Sequence, residues 1–315
     1  MSLNPGRSFS VSLLVGFSLW LLVTAGSVRP VGADGWDPAR VSWEQLLFEA
    51  SSSLGRVAAR VELGLPAAED MKLDPGDGGQ GPLLLPEQGT VLLLSAGIDA
   101  SLLLQRKHWT GRVWFLAEQG SALQRTRVKP GREGSLKLFR YGRDGVYRKR
   151  FDPKGRKEAT LPPEEWSRIK TSFYPYATGS SRCEQVLDPL TLLYVLSVID
   201  WSAETELEFC LFNKKGLYLA RLKNEGRERT KVAFWEQRGA SNQPVEREVD
   251  AWNVLLTSRP LDPVSKDLDP FEFLGFESEV RILLGVESGV PLRLTGEIPS
   301  VGLLTLNLTK AVLIR

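Results

Sequence analysis

Most of the chain alternates apolar and polar residues, and the alternation predicts strands. Residues 54–63 read LGRVAARVEL, with Val57, Ala59 and Val61 on one face and Arg56, Arg60 and Glu62 sharing the other. Residues 90–105 and 111–117, rich in Leu, Val, Trp and Phe, predict central strands. Residues 135–151, SLKLFRYGRDGVYRKRF, hold two alternating runs joined at Arg143-Asp144-Gly145. Asp-Gly supplies the positive φ angles of a tight turn, so this stretch predicts a hairpin. From Glu204 onward the pattern continues through ELEFCLF, GLYLARL, KVAFW, VDAWNVLL, EVRILLG and VPLRLTGEI to a last strand over 303–314.

Other stretches break the alternation. Residues 41–53 place Trp43, Leu46, Leu47 and Ala50 at the spacing of a short amphipathic helix. Pro162 and Pro163 before EEW predict a second short helix, because proline lacks only an N–H that the first helical turn leaves unpaired. Asp188 is placed to cap a third, opened by Pro189 and lined by Leu190, Leu193, Tyr194, Ser197 and Trp201. That helix is apolar on most sides and belongs in the core. Residues 74–82, DPGDGGQGP, predict a loop; their two aspartates lack the spacing of a calcium site. About ten strands with one buried helix do not suit parallel βαβ units. The expected fold is mainly β (α+β): a large curved antiparallel sheet or half-barrel around a buried helix, with a few short helices.

The first seven residues carry one basic side chain, Arg7, and are followed by an apolar run over 11–25 and then Val31-Gly32-Ala33. Such a run suits an export signal better than a spanning helix, which needs about 20 apolar residues. The expectation is a signal peptide over 1–33, cut after Ala33 or Ser27, and a single β-rich domain over 34–315 with a sub-boundary near Pro162 left open. A retained short anchor is the competing reading. Composition is that of an ordinary globular protein, 42% apolar and 25% charged. Without 1–33 the basic and acidic residues balance at 38 each. A neutral chain has no global attraction to nucleic acid, and membrane contact after cleavage is expected to be peripheral at most. Cys183 and Cys210 are the two cysteines, and an oxidising compartment predicts that they pair; two buried thiols are the alternative.

The segment DPLTLLYVLS over 188–197, the strands that follow, and the closing VRILLGVESGVPLRLTGEIPSVGLLTLNL resemble the uncharacterised bacterial periplasmic family of domain of unknown function 3108. The family's Pro-hydrophobic-Arg signature and its late glycine match Pro291, Leu292, Arg293 and Gly302. The resemblance implies an exported protein with no established chemistry. Its shape is also similar to the open half-barrels of lipoprotein-localisation carriers, an analogy of fold alone.

Catalytic signatures are sparse. Ser167 and Lys170 match Ser-x-x-Lys on a stretch expected to be helical, without the supporting motifs of penicillin-recognising enzymes. His108, the one histidine, has no acid partner that sequence can name. No catalytic residue, metal ligand or cofactor is assigned. Residues 125–158 hold thirteen Lys or Arg against four acids, interleaved with Phe139, Tyr141, Tyr147 and Phe151. Arg140, Arg143, Arg148, Lys149 and Arg150 are the candidate anionic-ligand hairpin; a solvated hairpin with aromatics inward and cations outward is the plainer alternative. The expected function is that of an exported, noncatalytic cell-envelope protein binding a lipid or an anionic envelope polymer, with an envelope-polymer hydrolase and a structural, partner-binding protein as alternatives. An enzyme should converge titratable groups in its main cavity, whereas a carrier cavity should be apolar.

Overall fold

The computed structural model describes residues 36–52, 55–67, 89–102, 105–176, 183, 185–262, 269–299 and 301–314. The expected signal peptide and the loop over 74–82 lie outside them. Among the described residues there are sixteen strands: β1 (Trp43–Ser52), β2 (Gly55–Gly64), β3 (Val91–Leu102), β4 (Gln105–Leu116), β5 (Ala122–Lys129), β6 (Ser135–Tyr141), β7 (Gly145–Asp152), β8 (Arg168–Pro175), β9 (Val186–Leu187), β10 (Glu206–Asn213), β11 (Gly216–Arg238), β12 (Ser241–Pro260), β13 (Glu272–Phe273), β14 (Phe276–Gly285), β15 (Pro291–Ile298) and β16 (Gly302–Leu313). One α-helix, α1 (Leu192–Val198), and short 3₁₀ turns complete the set.

The strands form one sheet in the order β8-β7-β6-β5-β4-β3-β2-β1-β16-β15-β14-β12-β11-β10-β9, with β13 attached to β14. The expected mainly-β fold around a buried helix is what the chain adopts. The sheet is mixed rather than wholly antiparallel, because β9 pairs with β10 and β11 with β16 in parallel. Consecutive strands pair antiparallel from β1 to β8, most of them through short hairpin links, with longer connections between β2 and β3 and between β7 and β8.

Asp188 and Pro189 open the helical segment as expected: the Asp188 side chain accepts from Leu190 N, and the 3₁₀ turn Pro189–Thr191 runs into α1. Every residue of α1 is buried. Trp201 lies beyond the helix end and returns by donating its indole N–H to the Leu196 carbonyl at 2.9 Å. Trp43 Nε1 donates to Ser197 Oγ at 2.9 Å, and the Tyr194 hydroxyl donates to the Ala117 carbonyl at 2.8 Å, so polar atoms on the helix are satisfied from the surrounding sheet. Far along the sheet, Phe212 of β10 packs on Phe139, Tyr141 and Tyr174 with ring centroids 5.6 to 6.1 Å apart. The sheet therefore curls until elements near its two ends meet over the helix.

Several expectations are corrected. Residues 41–53 form β1 rather than a helix. A register shift between Trp43 and Gln45 puts Trp43 and Leu46, three apart, on the buried face, and Phe48 and Ala50 then follow at strand period. Ser167 to Lys170 enters a strand, where residues three apart face opposite sides. Ser167 Oγ instead donates to Glu158 at 2.7 Å. The segments GLYLARL and KVAFW are two halves of the single 23-residue β11. The hairpin over β6 and β7 forms as expected, but Gly145 is not in a positive-φ conformation. It is small because a Cβ there would lie 2.3 Å from the Tyr174 carbonyl oxygen.

Candidate functional site

Strand pairing arranges the basic stretch into rows. Arg127 stands opposite Lys137, Lys137 opposite Arg150, and Arg150 opposite Lys170, across four neighbouring strands. Directly opposed residues share a face, so these four cations form one row on one side of the sheet. Two residues further along each strand is a second row on the same side: Arg125, Phe139, Arg148 and Ser172. This side is the inner wall, because Phe139, Tyr141 and Tyr174 on it pack on Phe212.

The innermost cation has a carboxylate partner, although its Nε is buried without a hydrogen bond. Arg125 Nη1 donates to Asp188 Oδ2 at 2.9 Å, and the Tyr141 hydroxyl donates to the same oxygen at 2.6 Å, with Asp188 entirely buried. Burial acts against the Arg125 charge, but the adjacent Asp188 carboxylate prevails and raises its pKa. Burial, followed by the Asp188 charge, drives the Tyr141 hydroxyl well above its ordinary value. One step outward, Arg127 and Lys214 each reach Glu272 at 3.1 Å. Burial favours neutral Glu272, yet the two cations hold its pKa below the ordinary value. Arg150 reaches Asp152 at 2.7 Å.

Lys137 is different. It is half-buried between Arg127 and Arg150 and makes no ion pair or hydrogen bond among the described residues. Burial first, and then Arg127, Arg150, Arg148 and Arg125, push its ammonium pKa down to about 8. Arg148 stacks over Tyr174 and reaches Ser172 at 3.3 Å, but its Nε is buried without a partner.

The hairpin candidates divide by strand parity. Arg148 and Arg150 belong to the inner wall, whereas Arg140 and Lys149 point to the opposite face and Arg143 is exposed in the turn. The picture of aromatics inward and cations outward holds for Phe139, Tyr141, Arg140 and Lys149 but not for Arg148 and Arg150, and Tyr147, paired with Phe173, and Phe151, under Lys149, lie on the outer face. Arg125, Arg127 and Lys137 fall inside the dense basic stretch over 125–158 without being singled out there, whereas Lys170, Asp188 and Glu272 lie outside it. The alternation RTR, KLF and RKR carries the first three, once the hairpin register is written out.

A cavity lies elsewhere. β11, β12, β14, β15 and β16 close a ring, because the far end of β11 returns to pair with β16 from Trp235 opposite Lys310 to Arg238 opposite Leu313. A cavity of about 680 Å³ borders this ring, with buried Val232, Val290, Leu292, Ala311 and Leu313 in its lining. Four arginines and four acids line it too, among them Arg229 beside Asp250 at 3.7 Å and Arg238 beside Glu236 at 2.8 Å. It is therefore neither an apolar carrier hollow nor selective for one sign of charge. Of the Pro-hydrophobic-Arg signature, Pro291 opens β15 and Leu292 lines this cavity. Arg293 donates to Asn307 at 3.0 Å, and Gly302 opens β16 at φ 89°.

The remaining candidates are placed as follows. Cys183 and Cys210 form a disulfide with Cα atoms 5.5 Å apart, as an oxidising, exported compartment favours. His108 stands opposite Asp99 on β3, its Nδ1 2.5 Å from the carboxylate, with both side chains exposed. No helix among the described residues is long and apolar enough to cross a membrane.

No family model matches the chain. No curated protein matches it either. Among solved structures, it is similar to a β-barrel-like protein of domain of unknown function 1849 from Brucella abortus, at 8% identity and a TM-score of 0.43, over 87% of this chain and 98% of that one.

Proposed function

We propose that the protein is an exported, noncatalytic binding protein of the cell envelope, and that it holds an anionic envelope component against its inner wall. The observation that carries this reading is Lys137, wedged between Arg127 and Arg150 with no ion-pair partner of its own among the described residues. Like charges directly opposed across strands are destabilising, and burial adds to the penalty. A bound anion removes both costs at once. The half-buried ring of Tyr174 lies beside Arg148 and offers apolar contact there, which suits an amphiphile with an anionic head. The export signal read over 1–33 and the disulfide support the compartment. Membership of the domain 3108 family is proposed on the same residues that carry the resemblance.

Calorimetric titration with dodecyl phosphate, dodecanoate and the uncharged dodecyl maltoside tests the reading. The two anionic amphiphiles are expected to bind, more weakly as salt is raised and more weakly to Lys137→Met. Equal binding of the uncharged detergent, or anion binding indifferent to Lys137, overturns it.

A further inference from the structure

We infer that the group held on the inner wall is a diphosphate, or two phosphates on one short linker, rather than a single carboxylate or phosphate. The inference rests on the anion-binding reading above and specifies its ligand. Asp188 answers Arg125, Glu272 is shared by Arg127 and Lys214, and Asp152 answers Arg150. Lys137, Arg148 and Lys170 have no carboxylate partner among the described residues. These three unanswered cations sit on the consecutive strands β6, β7 and β8, and share one face.

Neighbouring strands are about 4.8 Å apart, so the unanswered cations, from Lys137 on β6 to Lys170 on β8, extend over about 10 Å. A lone carboxylate or phosphate is smaller than that interval and reaches at most two adjacent positions. Two linked phosphates, with a charge-assisted hydrogen bond of about 2.8 Å at either end, cover the interval from Lys137 to Lys170, and their charge suits three unanswered cations. The buried, unpartnered Arg148 Nε is a second observation pointing to the same place. It lies one pleat inward of the row, on the strand between Lys137 and Lys170. Guanidinium groups bind phosphate oxygens in pairs, and lysines supply compact charge beside them. The charged groups facing Lys137 are Arg127 and Arg125 from β5 and Arg148, Arg150 and Asp152 from β7, with Glu272 behind Arg127.

Titration of the full chain with inorganic pyrophosphate and with orthophosphate near pH 7 tests the inference. Pyrophosphate is expected to bind at least about tenfold more tightly. Lys170→Met lies on an exposed edge strand and is expected to weaken pyrophosphate about tenfold while leaving orthophosphate within about twofold. Lys137→Met is expected to weaken both yet to melt higher than the wild type without ligand, which a merely structural lysine would not do. Equal affinity for the two anions, or pyrophosphate binding unaltered by Lys170→Met, overturns the inference. If dodecyl phosphate binds through Lys137 and pyrophosphate fails to displace it, the diphosphate inference falls and the anion-binding reading stands. If no anion binds, both fall. Co-sedimentation with phosphatidylcholine vesicles doped with cardiolipin, which carries two phosphates on one glycerol, identifies the source. Pyrophosphate-sensitive pelleting supports the inference with a lipid ligand; pyrophosphate binding without pelleting supports it with a soluble one.

Discussion

Lys137 faces Arg150 across the β6–β7 ladder, cation against cation, while Arg127 stands on its other side. Most charged pairs in the sheet follow the opposite rule: Arg56 reaches Glu49, Arg221 reaches Glu206 and Lys231 reaches Glu246. Directly opposed like charges recur at Glu277, which faces Glu272 and Glu297, but only the inner wall of β5 to β8 lines up four cations in one row, and local departures of this kind are where function is expected.

The exception has a pH signature. In the unfolded chain Lys137 titrates at its ordinary value, and in the folded protein at about 8. Between these two values the unfolded chain keeps a proton that the folded one has released, so stability rises with pH across that window. Below about pH 8 the Lys137 charge counts against folding. Lys137→Met is expected to stabilise the ligand-free protein near pH 7 by on the order of 1 to 3 kcal/mol and to flatten the rise toward pH 10. Thermal melts of both proteins across that range provide the check; a destabilised variant would mean that the lysine is structural.

Removing the carboxylate that answers Arg125 leaves a buried cation alone. Asp188→Asn is expected to cost about 3 to 5 kcal/mol, whereas Tyr141→Phe, which removes one hydrogen bond to the same oxygen, should cost about 1 to 2 kcal/mol. Denaturant unfolding midpoints of the two variants should fall in that order.

The Cys183–Cys210 bond closes a loop of 27 positions, which in the chain-entropy model stabilises the fold by about 3 to 4 kcal/mol. Cys183→Ser with Cys210→Ser should lower the unfolding midpoint accordingly, and a reductant should lower the wild type to the same level. An unaltered melting temperature under reduction would contradict the pairing.

β11 changes register between Asn224 and Arg227, where Gly226 adopts φ 112° and its N–H donates to Asn224 Oδ1 at 2.9 Å. No atom lies within 4 Å of a Cβ built there, so backbone strain alone sets the cost of a side chain. Gly226→Ala is expected to destabilise by about 1 to 3 kcal/mol, and calorimetry against a Gly155→Ala control, also open but without positive φ, separates strain from crowding.

Much of the fold is legible where one face of a strand is buried and the other wet. Val57, Ala59 and Val61 announce β2, and Asp188-Pro189 announces the core helix by cap chemistry alone. The reading fails at β1, where the shift at Trp43 inserts a spacing of three into a strand and mimics a helix. It fails again along β11, where the polar NEGRERT segment looks like an interruption although pairing with β12 continues through it. Inner-wall cations are harder to read for a different reason. Arg127, Lys137, Arg150 and Lys170 are far apart in sequence, and three successive registers bring them into one row. Lys170 lies outside the stretch of highest charge density altogether. Asp188 reads as a helix cap, and its second oxygen, held by Arg125 and Tyr141, is invisible without the closure of the sheet.

Whether the inner wall of β5 to β8 carries an anion is tested most directly by native mass spectrometry of the protein, wild type beside Lys137→Met. The account predicts a phosphorus-containing adduct on the wild type that is absent or much reduced on the variant. An adduct retained equally by both proteins, or a wild type without one that gains none when offered pyrophosphate or anionic amphiphiles, would contradict it.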